Sequence, residues 1–325
     1  MANFVNKLVQ IGVGRESSRG TAVAPGNWVK NMAVSHDDKR NYIQDDSAMG
    51  LIMESNDSVV AEEWGEGELS GILSDQNIGY FLLNVFGAVS SATASGETVV
   101  YEHTFSLLNS NQHPSLTLEV KNPVEQLKFA LAMVETLKIR AEVGKWVEFT
   151  VTFKSKKGAT ASNSVTYADE NKFWSKMVTM KLASTLSGLG AASETVIRSF
   201  EITFDCSLFM EYKLGSTEPN DINNQVLKIE GNIEAMFGAT TLKDLFRNGT
   251  LNALQLDVVS PTVIGNAEAP ELLIKLARCA FEEFEKSDGK SDMAVQSLKF
   301  AGLYSISDSQ FGTIVLTNKK ANYTT

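Results

Sequence analysis

Two stretches of the 325-residue chain are alike, EGELSGIL at residues 66–73 and EGNIEAMF at residues 230–237. Each is a candidate β-strand, and each is followed by a segment whose apolar residues recur at helical spacing. A glycine comes next in both cases, Gly87 and then Gly249, as is typical of a helix C-terminus. The pattern predicts that a strand–helix unit occurs twice.

Both predicted helices are short and amphipathic. The first has Ser74 or Asp75 available as its N-cap, and the second begins at Thr241, which forms a capping-box-like pattern with Asp244. Their apolar faces consist of Ile78, Phe81, Leu82, Val85 and Phe86 in the first helix, and Leu242, Leu245 and Phe246 in the second.

Other similar segments occur in the same order in both halves of the chain. They are opening strands at 27–30 and 173–176, proline-led strands at 114–119 and 270–275, and the tetrapeptide LKFA at 127–130 and 298–301. Matched segments in one order predict an internal duplication. We divide the chain into an N-terminal arm (1–26), a first repeat (27–157), a small, polar linker (158–164) and a second repeat (165–325).

Six residues mark the predicted repeats: the helix-ending Gly87 and Gly249, together with Trp28, Trp174, Gly67 and Gly231. Trp28 and Trp174 are interpreted as core aromatics, with anchoring of a subunit interface as the alternative. Gly67 and Gly231 are interpreted as serving a strand bulge or a tight strand start.

Strict alternation of apolar and polar residues predicts strands at 116–120, 147–153 and 200–208, so the chain is predicted to be mainly β. Hydrophobic residues make up 43% of the chain and the net charge is −10, which is typical of a folded protein and argues against tight binding to nucleic acid. No window approaches the ~18 apolar residues of a membrane helix, so we expect no membrane partner and a chain made in the cytosol.

No set of residues in the sequence indicates a catalytic site. Cys206 and Cys279 are the only cysteines and are not closely spaced, so they are interpreted as buried, inert thiols. The histidines lack the spacing of a metal site, and no serine nucleophile motif is present. We therefore predict no catalytic activity, metal or cofactor.

Residues 37–68 hold ten carboxylates against only Lys39 and Arg40. The ordinary interpretation is a solvated loop with solvated strand faces, and the alternative is an acidic surface that serves a function.

The chain resembles a known family, the tail tube (major tail) proteins of long-tailed bacteriophages, in the longer form with two tandem tube domains. GRESSRGTA at residues 14–22 is similar to the E-x-x-x-G-T-A opening of that family. The resemblance continues through EGELSG, the helix ending at Phe86-Gly87, the Pro114 strand and the closing strand GTIVLTN at 312–318. The sequence departs from the family pattern in a long insert between the Pro270 strand and Leu298.

The resemblance implies that each repeat is a sandwich of two four-stranded sheets with one flanking helix, and that inner strands join into a continuous β-barrel around a lumen. A duplicated chain would form trimeric, pseudo-sixfold rings that stack into a tube for the genome. It implies a place in the virion tail, assembly in the host cytoplasm, and a tape-measure protein and a tail terminator as partners.

An acidic wall suits DNA that must pass without binding. The candidate lumen or inter-ring carboxylates are Asp37, Asp38, Asp45, Asp46, Glu54 and Asp57, on a run that in such proteins forms a hairpin reaching the next ring. The N-terminal arm is expected to order only when rings stack. The alternatives are another virion ring component, such as a tail terminator, or a soluble two-domain β-sandwich binding protein.

Overall fold

The computed structural model describes residues 4–287, 289 and 293–324. Its two α-helices are α1 (Ile78–Phe86) and α2 (Thr241–Asn248), and short 3-10 helices occupy Asn6–Leu8, Ser175–Met177 and Leu186–Ala191. The strands are β1 (Gln10–Arg15), β2 (Asn27–Val29), β3 (Ala33–Val34), β4 (Asp37–Asp45), β5 (Asp57–Ile72), β6 (Gly87–Thr93), β7 (Tyr101–Leu107), β8 (Leu116–Lys121), β9 (Gln126–Glu142), β10 (Glu148–Ser155), β11 (Gly158–Thr160), β12 (Val178–Ala183), β13 (Ser199–Asp205), β14 (Phe209–Glu211), β15 (Asp221–Asn223), β16 (Lys228–Met236), β17 (Asn252–Val259), β18 (Glu271–Lys286), β19 (Val295–Leu303) and β20 (Gly312–Asn318). The prediction of a mainly β chain is confirmed.

One order of strand pairing occurs twice. In the first half, β1 pairs with β8, β8 with β9, β9 with β10, β10 with β5 and β5 with β4. In the second half, β12, β17, β18, β19, β16 and β13 pair in the same succession. A helix follows β5 and β16, and β11 and β20 take equivalent places beside β9 and β18. The chain therefore contains one fold in two copies.

The registers match as well as the order. Gly67 lies opposite Phe153, and Gly231 lies opposite Phe300. The β9–β10 and β18–β19 ladders each contain an irregularity at the same point, where Glu135 and Glu282 have no paired residue. The alignment of residues 66–73 with 230–237 thus agrees with the backbone.

Three of the sequence matches are wrong. The tetrapeptide LKFA lies in β9 in one copy and in β19, the equivalent of β10, in the other. The proline-led strands are β8 and β18, which are also not equivalent, and residues 175–177 form a 3-10 helix where an opening strand was expected. A short alternating segment fits any half-buried strand, so such a match carries little information on register.

Each copy is a sandwich because its longest strand belongs to two sheets. β9 pairs with β8 and β11 along its first half and with β10 along its second, and β18 behaves in the same way. The second half of β9 also pairs with β13, which joins the two copies. The result is a continuous eight-stranded sheet in the order β4–β5–β10–β9–β13–β16–β19–β18.

Helix α1 is the centre of the first core. All nine of its residues are buried, and the Phe81 ring lies 5.6 Å from the rings of both Phe149 and Phe153. Its C-terminus is Gly87 in the left-handed region at φ 83°, as predicted. The predicted N-cap is wrong, since Asn77 takes that position while Ser74 and Asp75 bind residues of the segment that follows β11.

Helix α2 is equivalent in place but less buried. Leu242 is its one buried residue, and Gly249 ends it in the left-handed region at φ 59°. The helix begins at Thr241 as predicted, but its N-cap is Thr240, which makes no capping hydrogen bond through its side chain, so the predicted capping box is wrong. Phe246 on the predicted apolar face is exposed.

The N-terminal segment belongs to the first copy. β1 pairs with both β2 and β8, and Ile11 and Val13 are fully buried. The prediction that residues 1–26 order only on ring stacking is therefore wrong for residues 10–15, whose alternating small and branched side chains fill the core. Residues 1–3 lie outside the described part. Part of the predicted linker is also a strand, since residues 158–160 form β11.

Candidate assembly surfaces

One face of the eight-stranded sheet packs on the core and the other is polar. In β13, for example, Phe200, Ile202 and Phe204 are buried, while the residues between them point to the opposite face. The registers align the polar residues of neighbouring strands across both copies. Carboxylates on this polar face include Glu66, Glu68, Glu142, Glu148, Glu201, Asp205, Glu230, Glu234, Glu283 and Glu285.

The basic side chains on the polar face of β9, β10, β16 and β19 are all ion-paired. Lys138 binds Glu201 at 2.9 Å, Arg140 binds Glu142 at 2.9 Å, Lys154 binds Glu135 at 2.7 Å, Lys228 binds Glu230 at 2.6 Å, and Lys299 binds Glu283. The hydrogen bonds that Lys228 and Lys299 donate to Glu230 and Glu283 raise the pKa of both lysines. The face therefore carries an excess of carboxylates and offers phosphate groups few unpaired cations.

The sequence run 37–68 forms a long antiparallel hairpin of β4 and β5. We call residues 37–63 the arm; this segment is distinct from the predicted N-terminal arm at residues 1–26. Its base is anchored, because Glu63 forms an ion pair with Arg40 at 2.9 Å and accepts a hydrogen bond from Lys157 at 2.9 Å, which lowers the pKa of Glu63. Every residue of β4 is exposed. The arm thus extends from the sandwich as a separate projection.

The six predicted acidic residues all lie on the arm. Asp37 is opposite Glu66 at its base, and Asp38 accepts a hydrogen bond from the Gly158 amide at 2.7 Å. Asp45 faces Asp57 near the tip, and Asp46 and Glu54 lie in the tip loop. The same loop exposes apolar side chains that no sequence pattern indicated, which are Met49, Leu51, Ile52 and Met53.

At both edges of the eight-stranded sheet, the outer side of the strand has no hydrogen-bonded partner strand. Within the described residues, β4 pairs only with β5, and β18 pairs only with β19 from residue 281 to 286. Exposed strand edges are templates for pairing with another chain. Sequence alternation predicted strands but gave no indication of which strands would be edges.

Of the six residues that mark the repeats, the two tryptophans and the two strand glycines have different environments. Trp28 is 3% exposed in β2, whereas Trp174 is 41% exposed beside Trp146, so the interpretation of Trp174 as a core aromatic is wrong. Gly67 and Gly231 lie inside regular strands rather than at a bulge or a strand start. A Cβ at Gly67 would overlap the His36 backbone, and one at Gly231 would overlap the Phe300 ring.

The described residues contain no cluster of three or more His, Cys, Asp or Glu side chains suited to a metal. Burial raises the pKa of the Cys206 and Cys279 thiols to about 12, so both are poor nucleophiles. No helix in the part of the chain that the structure describes is long and apolar enough to cross a membrane.

The described residues thus form a duplicated β-sandwich with two open sheet edges, an acidic sheet face and a projecting arm. The family model for phage tail tube protein matches residues 6–300, and the chain belongs to this family. Membership makes it a structural component of the virion tail that self-assembles into a tube. No curated protein matches the chain.

Proposed function

We propose that copies of this chain close into rings when β18 of one copy pairs with β4 of the next, and that the rings stack into a tube that conducts the genome. The observation that supports this is the β9–β13 pairing, which joins the two copies of the fold inside one chain. β18 is the equivalent of β9, and β4 is the equivalent of β13. The unpaired edges of one chain therefore repeat a joint that the chain already makes internally.

The internal joint also supplies a register. Thr136 lies opposite Asp205 within the chain. The equivalents of these residues, reached through the matched ladders, are Glu283 and Lys39. Opposite charges directly across an antiparallel pair are favourable, so the joint between chains has one cross-strand ion pair built into it.

We propose three copies per ring. The resemblance implies six tube domains per ring, and a chain with two domains, predicted as residues 27–157 and 165–325, supplies six with three copies. The eight-stranded sheets would then close into one β-barrel, which removes every open edge.

The polar face of the sheet is the proposed wall of the lumen, because the opposite face is covered by the cores. Its excess carboxylates and paired cations suit the passage of DNA without counterion release. During assembly, in the host cytoplasm, a tape-measure protein would occupy the lumen and a tail terminator would cover the last ring. The proposed role is structural rather than catalytic.

The ring-closure test is a charge exchange at the proposed joint. Lys39→Glu places two carboxylates opposite each other and is expected to abolish rings, and the double variant Lys39→Glu/Glu283→Lys is expected to restore them. Lys213→Glu makes the same charge change on an exposed loop and serves as the control. Negative-stain microscopy and mass measurement provide the readouts.

Rings of three chains from the wild type and from the double variant support the proposal. A monomer at all concentrations would refute it, and so would normal rings from the Lys39→Glu variant. A mass of six chains per ring would contradict the trimer but leave the edge pairing in place.

A further inference from the structure

The two ends of the eight-stranded sheet differ in chemistry. Strand β5 runs from Asp57 on the arm to Ile72 at the opposite end, roughly 50 Å at the usual rise per residue. The far end contains the turn between β9 and β10, with Trp146, and the 3-10 helix that follows Trp174. The arm and the two tryptophans therefore lie at opposite ends of the molecule.

The tryptophan end carries an open groove. Trp146 is 48% exposed and Trp174 is 41% exposed, and a backbone bridge holds the two residues side by side. They border a cavity of about 400 Å³, which is also lined by Lys172, Met177 and Thr262. We call this the tryptophan groove. Large exposed aromatic side chains are enriched at subunit interfaces and depleted elsewhere on protein surfaces.

The rim of the tryptophan groove has unpaired positive charge. Lys172 and Lys176 make no ion pair with any described residue, and the Lys176 Nζ atom lies 5.7 Å from the centroid of the Trp174 ring. Two other charges of this region are compensated, since Glu170 binds Lys30 and Lys145 binds Glu142. The groove thus combines an aromatic floor with free ammonium groups.

The arm tip has the complementary properties. Its apolar side chains, Met49, Leu51, Ile52 and Met53, are exposed and contact no core. Asp46 and Glu54 flank them in the same loop and form no ion pair with any described residue. Methionine is flexible and makes favourable contacts between its sulfur and aromatic rings.

The resemblance implies that the arm reaches the next ring, and we propose that its tip docks there in the tryptophan groove of a second chain. The inference rests on the proposed ring and tube. Because the two surfaces lie at opposite ends of one chain, their contact is heterologous and repeats without closing, which builds a polymer along one axis. The tip would bury its apolar side chains against the tryptophans, and its carboxylates would meet Lys172 and Lys176.

The test is a charge exchange between the two surfaces. Asp46→Lys/Glu54→Lys on the arm and Lys172→Glu/Lys176→Glu on the groove are each expected to leave rings intact and to abolish tubes. An equimolar mixture of the two variants, each able to supply what the other lacks, is expected to recover tubes. The control, Glu125→Lys/Glu211→Lys, makes the same charge change at exposed sites away from both surfaces.

Tryptophan fluorescence gives a second readout that does not depend on tube length. Docking buries Trp146 and Trp174, so the wild-type emission is expected to shift to shorter wavelength when tubes form. This emission shift should be reduced in Trp174→Phe and absent in the Asp46→Lys/Glu54→Lys variant.

Tubes of wild-type length from both charge variants, or no recovery in the mixture, would overturn the docking while leaving the ring proposal in place. A wild-type chain that forms neither rings nor tubes would refute both.

Discussion

Glu16, in the GRESSRGTA segment, is predicted to be essential for the stability of the first copy. Its side chain is 3% exposed and accepts hydrogen bonds from the backbone amides of Gly20 at 2.7 Å and Leu131 at 2.8 Å. It also accepts from the hydroxyls of Ser115 and Thr117. One carboxylate therefore joins β1, the following turn, β8 and β9.

The size of the effect follows from the donors that Glu16→Ala leaves without an acceptor. The two hydroxyls can turn toward other acceptors, but the buried Leu131 amide and the half-buried Gly20 amide cannot, and an unsatisfied buried group costs about 1–3 kcal/mol. The Leu131 amide also belongs to a residue at φ 54°, a strained conformation that the carboxylate helps to hold. We expect a loss of about 3–5 kcal/mol in the free energy of unfolding.

Urea unfolding followed by circular dichroism measures this loss, with Glu125→Ala as an exposed control expected to change stability by less than about 0.5 kcal/mol. Glu16→Gln replaces one acceptor oxygen with a donor that faces other donors, so it should also destabilise by more than about 1 kcal/mol. A Glu16→Ala variant as stable as the control would refute the assignment of Glu16 as the common acceptor of the four donors.

Three further outcomes are expected. Gly231→Ala should lower the free energy of unfolding by about 1–3 kcal/mol, because its Cβ overlaps a core aromatic ring, whereas Gly238→Ala, in open space, should not; equal urea midpoints would contradict this. Burial, with a contribution from a neighbouring carboxylate, raises the pKa of Glu271 to about 7, so the folded chain keeps a proton that the unfolded chain releases at its ordinary pKa of 4.5. Stability should therefore fall as pH rises from about 4.5 to 7, and Glu271→Gln should flatten that part of the pH profile. The proposed joint between chains puts Asp37 opposite Glu285, so Asp37→Asn should allow rings at a lower protein concentration in sedimentation experiments.

The sequence predicted those features that depend on local pattern. Alternation of apolar and polar residues identified the chain as mainly β, and helical spacing identified α1 and α2. The glycines that follow the two helices marked their ends correctly. Each of these signals lies within a few residues of the structure it specifies. The N-caps failed because side-chain contacts with distant segments, such as that of Asp75 with Asn171, decide what those residues do.

Register and exposure were harder to predict, because both depend on which strands become neighbours. The repeated LKFA was an attractive marker of the duplication, yet it occupies strands that are not equivalent. The equivalent positions share few residue types; those shared include Glu66 and Glu230, Gly67 and Gly231, Phe153 and Phe300, and the unpaired Glu135 and Glu282. The polar face was missed for the same reason, since its members come from strands far apart in sequence.

The two copies of the fold agree where they form the sheet and differ around their helices. α1 is entirely buried, beneath the β6–β7 hairpin and the C-terminal segment, where the Tyr323 ring lies 5.2 Å from that of Tyr80. No described hairpin or terminal segment covers α2 in this way, and Leu242 is its one buried residue. If three chains close into a ring as proposed, the wall of the lumen is pseudo-sixfold while the exterior of the ring is threefold. A cargo moving through the lumen would then meet nearly equal domains, whereas a protein that recognises the exposed side of α2 would find three sites on each ring.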